Sequence, residues 1–117
     1  MDNSLDFEYF TMKLTDDDYS LDQESDLWEI LIWKDNREIR ITFSGDIPEK
    51  DKTFAIAQFP LEQDEATLKL IDGFTDFVST GGSVYVVYEN SNPTIQFCDI
   101  IMVDANFDFT AMGKIIL

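Results

Sequence analysis

The stretch Leu27-Trp28-Glu29-Ile30-Leu31-Ile32-Trp33, continued by Lys34-Asp35-Asn36 and Arg37-Glu38-Ile39-Arg40-Ile41-Thr42-Phe43, reads as two β-strands joined by a short turn. In the second strand Ile39, Ile41 and Phe43 alternate with polar residues, the period-two pattern of a strand with one core face and one wet face. The first strand is apolar on both faces, which places it centrally in a sheet. Trp28 and Trp33 are an odd number of positions apart, so they stand on opposite faces and at most one enters a given core layer. The other is open to solvent unless a second layer covers it.

The same pattern extends outward in both directions. Ser44-Gly45-Asp46-Ile47-Pro48 supplies a turn, and Thr53-Phe54-Ala55-Ile56-Ala57-Gln58-Phe59 a strand that Pro60 stops. Gly81-Gly82 introduces Ser83-Val84-Tyr85-Val86-Val87-Tyr88-Glu89, Asn90-Ser91-Asn92-Pro93 turns the chain, and Thr94-Ile95-Gln96-Phe97 runs on to Ile100-Ile101-Met102-Val103. Residues 107–117 form a terminal strand bent at Gly113, and Leu5 to Leu14 a first one. Residues 64–78 admit two readings. A short helix capped by Asp64 would place Leu70, Phe74, Phe77 and Val78 on one face. A strand over Thr67 to Ile71, ended by Asp72-Gly73, fits the neighbouring strands better, because Gly73 inside a helix costs about 1 kcal/mol. Together these segments predict a single all-β, mainly antiparallel domain over residues 1–117, a small β-sandwich or partly open barrel of about eight strands.

The succession Gly82-Ser83-Val84-Tyr85-Val86, then Ile95-Gln96-Phe97, then Phe107-Asp108-Phe109-Thr110-Ala111-Met112-Gly113-Lys114-Ile115 resembles the close of small β-sandwich domains of unknown function found in bacterial envelope proteins. That resemblance implies a fold more than an activity. It carries one functional expectation, an envelope-associated structural or ligand-binding module.

A second expectation comes from charge. Ten of the first 29 residues are Asp or Glu and only Lys13 is basic, about −9 within a total of −16. A run such as Thr15-Asp16-Asp17-Asp18-Tyr19-Ser20-Leu21-Asp22-Gln23-Glu24-Ser25-Asp26 repels polyanions and steers a cationic partner into contact. By size and acidity the chain resembles immunity proteins that neutralise bacterial toxins. The leading expectation is therefore a non-enzymatic inhibitor or immunity-type protein that occludes a basic surface of a nuclease, toxin or defence effector. Mimicry of nucleic acid within a basic channel is a related possibility. Asp16, Asp17, Asp18, Asp22, Glu24 and Asp26 are the candidate partner-binding acids, with Tyr19 or Trp28 as the desolvated aromatic anchor.

Other chemistries find little purchase. Without histidine there is no Ser-His-Asp or Cys-His catalysis and no His-containing zinc or iron site; no catalytic residue, cofactor or metal is expected. Asp16, Asp18, Ser20 and Asp22 alternate oxygens as a calcium loop does, but Leu21 stands where that loop needs Gly and Leu27 where it needs Glu. Gly81-Gly82 lacks a phosphate-binding lysine and reads as a turn. Lys34, Arg37 and Arg40 flank one hairpin inside a negative field, which disfavours direct binding of nucleic acid. Cys98, the only cysteine, lies in an apolar run and reads as a small buried hydrophobe. No apolar stretch reaches the roughly 20 residues of a membrane span, and a native start at Met1 implies residence in the cytosol.

Overall fold

Asp35 and Asn36 both adopt positive φ, 53° and 61°, the two-residue turn whose twist matches an antiparallel pair. It joins β4 (Leu27–Lys34) to β5 (Arg37–Ser44) and sets Trp28 opposite Phe43, Ile30 opposite Ile41 and Ile32 opposite Ile39. All six are fully buried. The structure is a computed structural model that describes residues 3–117. Met1 and Asp2, the start on which the expectation of cytosolic residence rests, lie outside the described residues.

Eight further strands complete one sheet: β1 (Asn3–Asp6), β2 (Thr11–Leu14), β3 (Tyr19–Gln23), β6 (Lys52–Ile56), β7 (Glu65–Asp72), β8 (Thr75–Glu89), β9 (Asn92–Val103) and β10 (Asp108–Ile116). Their order is β2-β1-β10-β9-β8-β6-β7-β5-β4-β3, and β8 also pairs with β7. Pairing is antiparallel except for a short parallel contact of β6 with β7. The sheet curls nearly closed into a barrel.

Ten strands replace the expected eight for two reasons. The run from Leu5 to Leu14 is not one strand, because Glu8 at φ 65° turns the chain within Phe7–Phe10. Residues 19–23, read as part of an acidic loop, form β3 on the edge of β4. The short helix weighed for residues 64–78 is absent. That segment is the β7–β8 hairpin, with Gly73 at φ 65° in the turn and Phe74 standing fully in solvent. No described residue is helical, and hence no helix is long and apolar enough to cross a membrane.

The barrel bends where side-chain parity changes. Phe77 and Ser79 point inward in the first half of β8, whereas Val84 and Val86 do so in the second; on β9, Ile95 and Phe97 give way to Ile100 and Met102. Irregular register at Ser79–Ser83 and at Ala111–Gly113 sits beside Asp99 at φ 56°. Adjacent bulges bend the sheet sharply at this corner. Cys98 is exposed rather than buried as expected, since it follows inward-facing Phe97 by plain alternation and the parity of β9 resets only at Asp99.

Two aromatic groups fill the interior. Trp28 stacks on Phe43 with ring centroids 3.9 Å apart, and Phe54 meets both edge-on. At the other end Phe7, Phe77 and Phe109 are buried, and partly buried Phe10 and exposed Tyr9 and Phe107 extend the cluster to the surface. Each fully buried Phe of this kind contributes about 1.5–3 kcal/mol.

Candidate functional site

The first and last strands of the sheet order, β2 and β3, are consecutive in the chain. The acidic segment is therefore the link across the open seam of the barrel, and each of its residues has a defined place.

Asp18 organises the turn. Its carboxylate accepts from the backbone N–H of Thr15 at 2.7 Å, from the Thr15 hydroxyl at 3.2 Å and from Lys34 Nζ at 3.1 Å. Lys34 Nζ also donates to the Lys13 carbonyl, tying β4 to β2. The Thr15 N–H, followed by Lys34, holds the Asp18 carboxyl below its ordinary range. Oδ2 takes all three of these bonds, so half of this candidate carboxylate is committed within the fold. Asp16, Asp17, Asp22, Glu24 and Asp26 remain exposed. None of them joins the six ion pairs among the described residues, whose acids are Asp18, Asp72, Glu29, Asp64, Asp76 and Glu89. These five carboxylates form an unneutralised strip along the seam.

The strip is rigidly mounted. β3 pairs with β4 from Tyr19↔Ile32 to Gln23↔Trp28. The turn beyond it is closed by Glu24 N–H to the Leu27 carbonyl at 2.7 Å, Gly45 N–H to the Asp26 carbonyl at 2.8 Å, and the Gln23 amide to the Leu27 carbonyl at 3.0 Å.

The two aromatic candidates fall differently from expectation. Trp28 has no exposed surface and cannot touch a partner; it shares the core face with Ile30 and Ile32. Tyr19 is half-buried against the core, and its hydroxyl donates to the Ile116 carbonyl at 2.7 Å, riveting β3 to β10. The exposed aromatic ring of this hairpin is Trp33, 64 % exposed. It stands in a groove of about 410 Å³ with Asp17, Ser20, Leu31 and Glu38. Sequence parity put the two tryptophans on opposite faces and left open whether a second layer covers the outer one; the register places Trp28 inside, and Trp33 is uncovered.

The basic residues of the same hairpin are all answered internally, Lys34 by Asp18, Arg37 by Asp72 at 3.2 Å and Arg40 by Glu29 at 3.9 Å. No described group of three or more His, Cys, Asp or Glu side chains converges as metal ligands; Asp16 and Asp18 lie in the turn, while Ser20 and Asp22 project from β3. No family model, curated protein or solved structure matches this chain.

Proposed function

We propose that this chain is a non-enzymatic acidic binding protein of the inhibitor or immunity type, which occludes a basic surface on a nuclease, toxin or effector. The observation that carries this reading is the unpaired acidic strip beside exposed Trp33. Five carboxylates without internal counter-charges accelerate encounter with a cationic surface, and a ring in a shallow groove supplies the desolvated contact that keeps the complex together. The rigid barrel limits the ordering cost on binding.

The test is capture on the immobilised chain at low salt, with stepwise salt elution, using the native sequence and a variant with Asp16, Asp17, Asp22, Glu24 and Asp26 changed to Asn or Gln. A basic protein should be retained by the first and not the second. With that protein in hand, the five substitutions lower the on-rate about tenfold or more at low salt and flatten its salt dependence. Unchanged association kinetics would remove the electrostatic mechanism, and loss of the partner's own activity in the complex is the readout for inhibition.

A further inference from the structure

In the β3–β4 ladder, Trp33 N–H donates to the Asp18 carbonyl at 3.0 Å and Glu24 N–H to the Leu27 carbonyl at 2.7 Å. The intervening register is Ser20↔Leu31 and Asp22↔Glu29. Because hydrogen-bonded and non-bonded pairs alternate between antiparallel strands, the backbone groups of Asp18, Ser20, Asp22 and Glu24 face β4. Those of Tyr19, Leu21 and Gln23 face the seam, and no hydrogen bond reaches them from any described residue.

The side chains give an independent sign of the same gap. Leu21 lies opposite Ile30, which is completely buried, so it points to the core side of the sheet. It is nevertheless 41 % exposed. At the Tyr19 end of the strand the seam is a groove of about 510 Å³ bounded by Asn3, Asp16, Tyr19, Ile116 and Leu117. Across that groove Asn3 caps β10, its carboxamide oxygen accepting from Ile116 N–H at 3.1 Å. The outward backbone groups of β3 have no such cap among the described residues. Proline, bulges and lysine, which commonly blunt such edges, are all missing from Tyr19-Ser20-Leu21-Asp22-Gln23.

We infer that β3 accepts an added strand, an extended basic segment of a protein partner, paired through the free backbone groups of Tyr19, Leu21 and Gln23. This rests on the acidic-binder reading above and specifies how the partner engages. Alternation fixes the sequence such a segment must have. Its core-side residue is apolar and covers Leu21; its outward residues are Lys or Arg and lie beside Ser20 and Asp22, within reach of Asp16 and Glu24. A second copy of this chain does not fit. Two β3 edges paired antiparallel about Leu21 would bring Asp16 against Asp26 and Asp18 against Glu24 of the second copy, and like charges across a strand pair are destabilising. The same acids that exclude self-pairing admit a basic strand.

The experiment is amide hydrogen exchange on the full-length, ¹⁵N-labelled chain with and without the capped peptide Lys-Val-Lys-Val-Lys-Val-Lys, run beside the same peptide N-methylated at its valines. Strand addition slows exchange at the Leu21 and Gln23 amides about tenfold or more, and leaves Ser20 and Asp22, already bonded to β4, little changed. The N-methylated peptide fails to do this. Leu21→Pro, which deletes an outward N–H while sparing the β4 ladder, loses the peptide too; its fold is checked by the unchanged protection of β5 and β7. Salt-sensitive binding without protection at Leu21 and Gln23 overturns strand addition and leaves the acidic-binder reading intact. Absence of salt-sensitive binding to either peptide or to polylysine overturns both. Protection of the same amides by self-association overturns the choice of occupant.

Discussion

Substituting either tryptophan of β4 separates fold from contact surface. Trp28→Ala empties a core site stacked on Phe43 and is expected to cost about 3–5 kcal/mol in chemical denaturation. Trp33→Ala should leave stability within about 0.5 kcal/mol yet weaken the proposed complex by about 2 kcal/mol or more. Acrylamide quenching of the native chain should reach Trp33 and spare Trp28. Two titrating groups add pH dependence of opposite sense. The Asp18 carboxyl is held down by Thr15 N–H and Lys34, so its contribution is complete above its ordinary value of 3.8 and disappears as pH falls through the lower folded value. Asp18→Asn should flatten that acid limb of a stability-versus-pH curve. Tyr9 is pushed up to about 12, chiefly by partial burial and then by its hydrogen bond to Asp72 at 2.9 Å. A raised value means stability complete below the ordinary 10.0 and lost as pH climbs toward about 12. Tyr9→Phe should remove this alkaline step, followed by near-ultraviolet circular dichroism.

Within the elements, parity is the thread connecting sequence to shape. Ile39, Ile41 and Phe43 marked the core face of β5, and the two-residue turn at Asp35-Asn36 carries that face to Trp28, Ile30 and Ile32 on β4. The burial of Trp28 was therefore legible, although it was named as an anchor. The split of Leu5 to Leu14 had its own sign: Leu5 and Phe7 are buried at odd positions, Met12 and Leu14 at even ones. No glycine, proline or asparagine announced that turn. Its support comes from far away, the Glu8 carboxylate accepting the Thr110 N–H and hydroxyl, each at 2.7 Å. β3 was illegible for a related reason, since its polar residues have little strand preference and are ordered by the ladder to β4. The bulged corner makes a sharp prediction. A Cβ on Gly82, at φ +116°, would lie 2.8 Å from Ile100 Cδ1 and 3.1 Å from its Cα; one on Gly113 would meet Leu5 Cδ2 and Phe97 Cζ. Gly82→Ala should destabilise by about 2 kcal/mol or more, having both strain and a backbone clash. Gly113→Ala should cost about 1–3 kcal/mol without that strain, because it presses on buried Leu5 and Phe97 and lies 3.1 Å from the Ser4 carbonyl. Thermal or urea denaturation of the two variants gives the comparison.

For the molecule as a whole, net charge and topology act together. At −16 the barrel repels itself, and raising ionic strength from about 0.01 to 0.15 M shortens the screening length from about 30 to 8 Å. The melting temperature should therefore rise over that range; a fall would mean that the six ion pairs outweigh the repulsion. The charge of residues 16–26 was plain from the sequence, but its arrangement was not. Which acids are free depends on Asp18 being consumed in the seam turn, and that depends on a sheet whose ends meet. Closure in turn depends on β1 reaching β10, with Leu5 opposite Gly113. At roughly 5–20 residues made per second, β1 waits roughly 5–20 s for β10 to be synthesised. Through that interval Leu5, Phe7 and Met12 lack their cover. Asp6, Glu8 and the aspartates after Leu14 flank them, as gatekeeping charges flank other sticky strands. Exchanging these flanking acids for Asn or Gln should therefore raise aggregation during refolding, read by light scattering.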